Sequence, residues 1–184
     1  MPFDFQQLDL PGLVLIQARA FQDERGAFME IYRESEFAAA GIAERFVQSN
    51  VSRSQRSVLR GLHYQASPWG QGKLVQVLEG AIFDVVADIE LDSPRFGKWT
   101  GCEMSEANGR LLYVPPRYAH GFCVLSDMAI VLYHVTAEYH PESERGVPWN
   151  DPALAVDWPV KEPIVSAKDR AWPALDSLRR APRT

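Results

Sequence analysis

From residue 46 to residue 137 the chain offers one short β-type run after another, and no helical period separates them. Each run ends on glycine, proline or a polar cluster. Phe46–Ser52 alternates cleanly, with Gln48, Asn50 and Ser52 on one face and Val47 and Val51 on the other. Val58–Gln65, Lys73–Leu78 and Ala81–Glu90 read as the next strands. In the last of these, Phe83, Val85, Ala87 and Ile89 form an apolar face, and Asp84 and Asp88 lie opposite. Lys98–Met104, Leu111–Val114, His120–Leu125 and Ala129–Ala137 complete the series. A parallel α/β sheet would need helices between its strands, so the pattern predicts an all-β sandwich or barrel.

The flanks add little regular structure. Leu13–Ala20 reads as a first strand, Asp23–Gly26 as a turn, and Ala27–Tyr32 as a short segment after it. Ser35–Ala40 reads as a brief helix that Gly41 stops. After Tyr139 the periodicity fades into proline-rich sequence, with a short helix expected over Ala174–Arg180. Trp149, Trp158 and Trp172 lie in this tail, which should therefore pack back on the barrel. With no repeat or linker, residues 1–184 are expected to form a single domain with its core at about 13–173.

Composition removes several classes of function. A net charge of −5 implies no broad basic surface for nucleic acid. The basic cluster Arg179, Arg180 and Arg183 is expected to be a solvated tail. No apolar run approaches bilayer length, and MPFDFQQLDL lacks the pattern of a secretory signal. The expectation is a cytoplasmic protein with no membrane partner. Cys102 and Cys123 are too few for a disulfide framework or a zinc site, and are expected to be reduced core thiols.

The chemistry centres on SVLRGLHYQASPWGQGKLVQVLEG, residues 57–80. His63 is a candidate base, because imidazole titrates near neutrality and can accept a carbon-bound proton. A base of this kind needs an acceptor to hold its tautomer. Asp84, Asp88, Asp127, Asp151, Asp157 and Asp169 are all available, and spacing does not choose among them. A metal centre is the rival for a β-barrel histidine. Metal-binding cupins present His-x-His and a later Glu, whereas this chain has Gln65, Gln71 and Lys73 in that region, and His120 would lack co-ligands. No metal is therefore expected. Lys73 and Arg60 are either solvated edge residues or, turned inward, an oxyanion partner and an anion clamp. Strict alternation puts Arg60 and His63 on opposite faces, so sharing a cavity would need a bulge near Gly61. Tyr133 shares a face with Val131 and Val135 and is either core or a proton donor.

The segments DERGAFME, FVQSNVS, VLRGLHYQ, QGKLVQVLEGAIFDVVADIE, YVPPRYAHGF and WNDP, in that order and spacing, resemble the dTDP-4-dehydrorhamnose 3,5-epimerase family from about Leu13 to Asp169. The resemblance implies a cupin-type jelly roll, usually a homodimer that exchanges strands, with no metal or organic cofactor. It implies a dTDP-4-keto-6-deoxy-hexose substrate, with His63 as base, Asp169 orienting it, Tyr133 returning the proton, and Lys73 with His120 stabilising the enolate. It further implies that Arg60 holds the diphosphate and that Arg25 and Glu30 contact the nucleotide from the same or the partner subunit. Gln48 and Asn50 would contact the nucleotide–sugar, Tyr139 would stack on thymine, and Glu144 and Lys168 would lie near the substrate. The PPRY sequence departs from the family pattern, which puts Arg117 at the cavity mouth as an expected difference. A mono-epimerase and a non-catalytic sugar-nucleotide-binding cupin are the alternatives.

Overall fold

The computed structural model describes residues 2–180. The strands are β1 (Phe3–Gln7), β2 (Val14–Ala18), β3 (Ala20–Asp23), β4 (Gly26–Met29), β5 (Gln48–Gln55), β6 (Val58–Gln65) and β7 (Lys73–Glu79). They continue with β8 (Ala81–Asp88), β9 (Trp99–Ser105), β10 (Arg110–Val114), β11 (Tyr118–Val124), β12 (Met128–Val135), β13 (Glu144–Gly146) and β14 (Ile164–Val165). Helices α1 (Glu34–Ala39) and α2 (Ala167–Arg170) are short. One sheet has the order β1-β2-β10-β7-β12-β5, the other β13-β6-β11-β8-β9 with β14 in parallel on β6, and β3–β4 is a separate hairpin. The two large sheets pack as a jelly roll of the cupin type.

Side-chain parity explains the layers. Val75 and Val77 of β7, Ile82 and Val86 of β8 and Val131 of β12 fill the space between the sheets. Val85 and Ala87 of β8 point the other way, where Leu154, Trp158, Val165 and Leu175 of the tail cover them. On the outside of the first sheet, Ile16, Leu74 and Leu111 are covered by Phe37 and Ile42 around α1. A six-residue helix is not stable alone. Burial of Phe37, against which Phe3 stands edge-on at 5.2 Å, holds α1 in place and is worth about 2–3 kcal/mol.

Most expected elements are present, and the differences have physical causes. β1 is an added strand: Phe3 is buried under α1, a partner that lies thirty residues away in sequence. The expected Leu13–Ala20 strand breaks into β2 and β3. The expected terminal helix is a 3-10 turn over Leu175–Arg180, and the tail tryptophans Trp149 and Trp158 pack on the barrel as expected. Arg183 lies outside the described residues. Both cysteines are free, and burial pushes Cys102 up to about 12 and Cys123 up to about 11. Among the described residues, no helix is long and apolar enough to cross a membrane.

Candidate active site

Two strands turn their polar faces inward, which reverses the usual sense of alternation. On β5 it is Val47 and Val51 that are exposed, at 49% and 63%, and Asn50 and Ser52 that line cavities. On β8 the apolar face lies under the tail, and Asp84 and Asp88 point between the sheets with 0% and 2% exposure. Toward one end of the barrel, then, the inter-sheet space is not filled by apolar side chains. It is a cavity of about 580 Å³ that adjoins a smaller one of about 230 Å³, and His63, Lys73, Tyr133, Tyr139 and Glu144 line both.

Arg60 and His63 reach this cavity together through the irregularity expected at Gly61. His63 is opposite His120 on β11, yet Arg60 is opposite Phe122, so three steps on β6 match two on β11. Gly61 has φ +137°, and the peptide bond that follows it is cis. A Cβ at Gly61 would lie 2.6 Å from Gly121 Cα, so only glycine fits where the two backbones meet.

His63 Nε2 bonds Asp169 Oδ1 at 2.6 Å. The carboxylate accepts, so in the neutral ring Nε2 carries the proton and Nδ1 keeps the free lone pair. Asp169 comes from α2, where its N–H donates to the Ser166 Oγ cap at 3.0 Å, and β14 ties that segment to β6. Burial alone would raise the Asp169 carboxyl; its bond to His63, the His63 charge and the Gly61 N–H outweigh this and hold it below the usual range. The other candidate aspartates are engaged elsewhere or exposed. Asp88 accepts from Ser93 and the Glu90 N–H, Asp127 pairs with Arg56, Asp151 accepts the N–H groups of Ala153 and Leu175, and Asp157 is exposed.

Asp84 is the residue that sequence reasoning misassigned, as a possible partner of His63. Its oxygens lie 3.0 and 2.9 Å from His120 Nε2, and the carboxylate is fully buried. The signal was present in the parity of β8, read as a solvent face rather than a cavity face. Lys73 extends the inward parity of Val75 and Val77, and its Nζ donates to the His63 carbonyl at 3.3 Å. Burial lowers this ammonium to about 8, against the pull of Asp84 and Glu144. Tyr133 enters from β12, in the sheet opposite the one that carries His63. Burial raises its phenol, opposed by Arg60 and reinforced by Glu144.

A polar cluster rims the cavities. Lys168 Nζ pairs with Glu144 at 2.5 Å, and the Tyr139 hydroxyl donates to the same carboxylate. Burial would raise Glu144, but Lys168, Tyr139 and His63 bring it below its ordinary value. Gln48 Nε2 donates to Asn50 Oδ1 at 2.8 Å and its Oε1 accepts from the Tyr139 N–H. Arg60 Nε donates to Ser54 Oγ at 2.9 Å, and the buried Ser52 Oγ in the cavity wall has no partner. Gln65 and Gln71 bond loop carbonyls, Trp69 and Ala137 among them, and so brace the loops.

Three expected residues lie away from the cavity. Arg25 pairs with Asp23 and Glu30 with Arg33, on and just after the exposed β3–β4 hairpin. Arg117 is a correction: it donates to the Pro11 carbonyl and lies over the Tyr118 ring, away from the cavity.

A jelly-roll barrel enclosing an Asp-backed histidine and an opposing tyrosine is the architecture of the cupin-type epimerases. The family model described as dTDP-4-dehydrorhamnose 3,5-epimerase matches residues 7–177, and the chain belongs to that family. It is 47% identical over 176 residues to the dTDP-4-dehydrorhamnose 3,5-epimerase of Methanothermobacter thermautotrophicus, covering 94% of this chain and 95% of that one. The Legionella pneumophila dTDP-6-deoxy-D-glucose-3,5-epimerase, solved with dTDP-4-keto-L-rhamnose, superposes with a TM-score of 0.91 at 46% identity, covering 95% and 93% of the two chains. A dTDP-4-dehydrorhamnose 3-epimerase of Streptomyces niveus is 39% identical over 89% of this chain and 79% of its own.

Proposed function

We propose that this chain inverts C3 and C5 of dTDP-4-dehydro-6-deoxy-D-glucose, giving dTDP-4-dehydro-L-rhamnose for dTDP-L-rhamnose biosynthesis. The observation that carries the reading is the pairing of His63 with Asp169 on one sheet, opposite Tyr133 on the other. Both carbons flank the C4 ketone, so loss of a proton from either gives an enolate on the same oxygen. His63 Nδ1 takes the proton, and Asp169 stabilises the imidazolium that forms. Lys73, with His120 held by Asp84, stabilises the enolate oxygen. Tyr133 returns a proton to the opposite face, which inverts the centre. The ketone is the electron sink, so the reaction calls on no metal or organic cofactor.

The remaining residues hold the nucleotide. Arg60 binds the diphosphate, with Lys168 and Glu144 beside it, and Gln48 and Asn50 meet the nucleotide–sugar. Tyr139, half exposed at the rim, stacks on thymine. Arg25 and Glu30 act across a homodimer. In support, their hairpin stands exposed, with Phe21 and Phe28 at 50% and 70%, as a segment that inserts into a neighbour would. The whole chain serves as one catalytic domain working in the cytoplasm.

Deuterium exchange tests the reading. With the keto sugar nucleotide in deuterated water and chelator, deuterium should enter at C3 and C5; no incorporation would overturn it. The resemblance to a 3-epimerase sustains a second reading, inversion of one carbon, which incorporation at C3 alone would establish. A binding-only cupin has no use for an Asp-backed base facing a phenol.

A further inference from the structure

Trp172 behaves unlike the other tail tryptophans. Trp149 and Trp158 pack in the apolar layer under the tail, and Trp158 donates its indole N–H to the Trp149 carbonyl. The Trp172 indole instead stands edge-on to His63, with centroids 6.0 Å apart and planes at 68°. Gly146, directly opposite His63 in the β13–β6 ladder, lies against the same ring. A Cβ there would come within 2.6 Å of indole Cε2 and Nε1, so the absence of a side chain at Gly146 makes the slot. Lys168 places its ammonium 5.6 Å from the ring centroid. The indole Nε1 is buried with no partner within hydrogen-bonding distance.

A buried donor without an acceptor is destabilising, and a phenyl ring would fill much of the slot without that penalty. The N–H therefore calls for an electrostatic explanation, and Asp169, three residues earlier, supplies it. The indole adds to the influences that keep that carboxyl low, behind His63 and the Gly61 N–H. An indole N–H carries a partial positive charge, and beside a carboxylate it favours the ionised, acceptor-only form that holds Nε2–H of His63.

We propose that Trp172 is a positioning residue for the His63–Asp169 pair: its ring edge limits the swing of the imidazole, and its N–H keeps the carboxylate aimed at Nε2. Trp172 makes no contact with substrate in this role. The proposal rests on the reading of His63 as base. It concerns the geometry of the pair and is therefore open to a measurement that does not depend on turnover.

Trp172→Phe keeps an aromatic ring and removes the N–H. We expect KM within about twofold of wild type and kcat lower by about five- to tenfold, the size of a lost hydrogen bond near a charged group. The 15N resonances of His63 should also move toward a mixed tautomer. Trp149→Phe, in the apolar layer, should leave both readouts unchanged. An unmoved His63 spectrum, or a kcat that falls only in proportion to the folded fraction, overturns the proposal. If the phenylalanine variant does not fold, the wild-type protein still decides. The Trp172 indole N–H resonance should shift when Asp169→Asn neutralises the carboxylate, and a resonance that stays in place overturns the proposal. Wild-type deuterium exchange at the sugar carbons tests the base separately, so failure of one reading is distinguishable from failure of the other.

Discussion

Replacing Gly61 by alanine tests whether the irregularity in β6 is what brings Arg60 and His63 into one cavity. The added Cβ would sit 2.6 Å from Gly121 Cα and 3.1 Å from the His120 carbonyl oxygen, both backbone atoms that no rotamer change can move. Forcing a non-glycine residue to φ +137° costs about 1–3 kcal/mol, and overpacking against a rigid neighbour costs about as much again. A loss of about 4 kcal/mol corresponds to a drop of roughly 8–16 °C in melting temperature for a chain of this size. Gly41→Ala is the control, because Gly41 also has a positive φ (+89°) but no atom lies within 4 Å of its Cβ position, so it isolates the backbone penalty. The strands pushed apart carry His63 and His120, and a displacement near 1 Å at the base can lower turnover about 100-fold. Thermal melts followed by circular dichroism, with exchange rates measured on the folded variant, give both numbers. A Gly61→Ala protein melting within about 2 °C of wild type, at full turnover, would refute the reasoning.

Three further outcomes follow from the charges in the cavity. Lys73 acts as a cation, and burial lowers it to about 8, so kcat should fall above about pH 8, and Lys73→Met should abolish that limb of the rate profile. The same shift has the opposite sign for folding: the unfolded chain binds the proton more tightly between about pH 8 and its ordinary value. Stability should therefore rise over that interval as activity falls, which urea melts at several pH values would check. Asp84→Asn removes a charge that favours protonated Lys73, so the alkaline limb should move to lower pH, with kcat down about 10- to 100-fold; an unmoved limb counts against the assignment. Asp169→Asn should lower kcat by at least about 100-fold while dTDP affinity, measured by calorimetry, stays within about threefold, because no nucleotide contact is lost.

Much of the barrel was legible because its strands are short, rich in β-branched residues and bounded by turn residues. The faces were harder. On β5 and β8 the polar side points into a cavity and the apolar side points outward, toward solvent or the tail, and alternation alone does not say which side faces the core. That ambiguity hid Asp84, whose partner His120 is 36 residues away. The bulge at Gly61 was deducible, because a glycine between two inward residues of the wrong parity leaves few other solutions. Asp169 could not be chosen by spacing, since its place beside His63 depends on α2 being carried back by β14. Arg117 misled because a cation near a loop was read by sequence proximity, and its guanidinium found the Pro11 carbonyl instead.

The central claim is that His63 removes the proton and Tyr133 returns one from the other side. The direct measurement is deuterium entry at C3 and C5, compared with net inversion, in His63→Asn and Tyr133→Phe under the same conditions. The account predicts that His63→Asn abolishes exchange while dTDP still binds. It predicts that Tyr133→Phe slows inversion by a larger factor than it slows the first proton loss. Exchange at the wild-type rate in His63→Asn, or equal slowing of both steps in Tyr133→Phe, would contradict it.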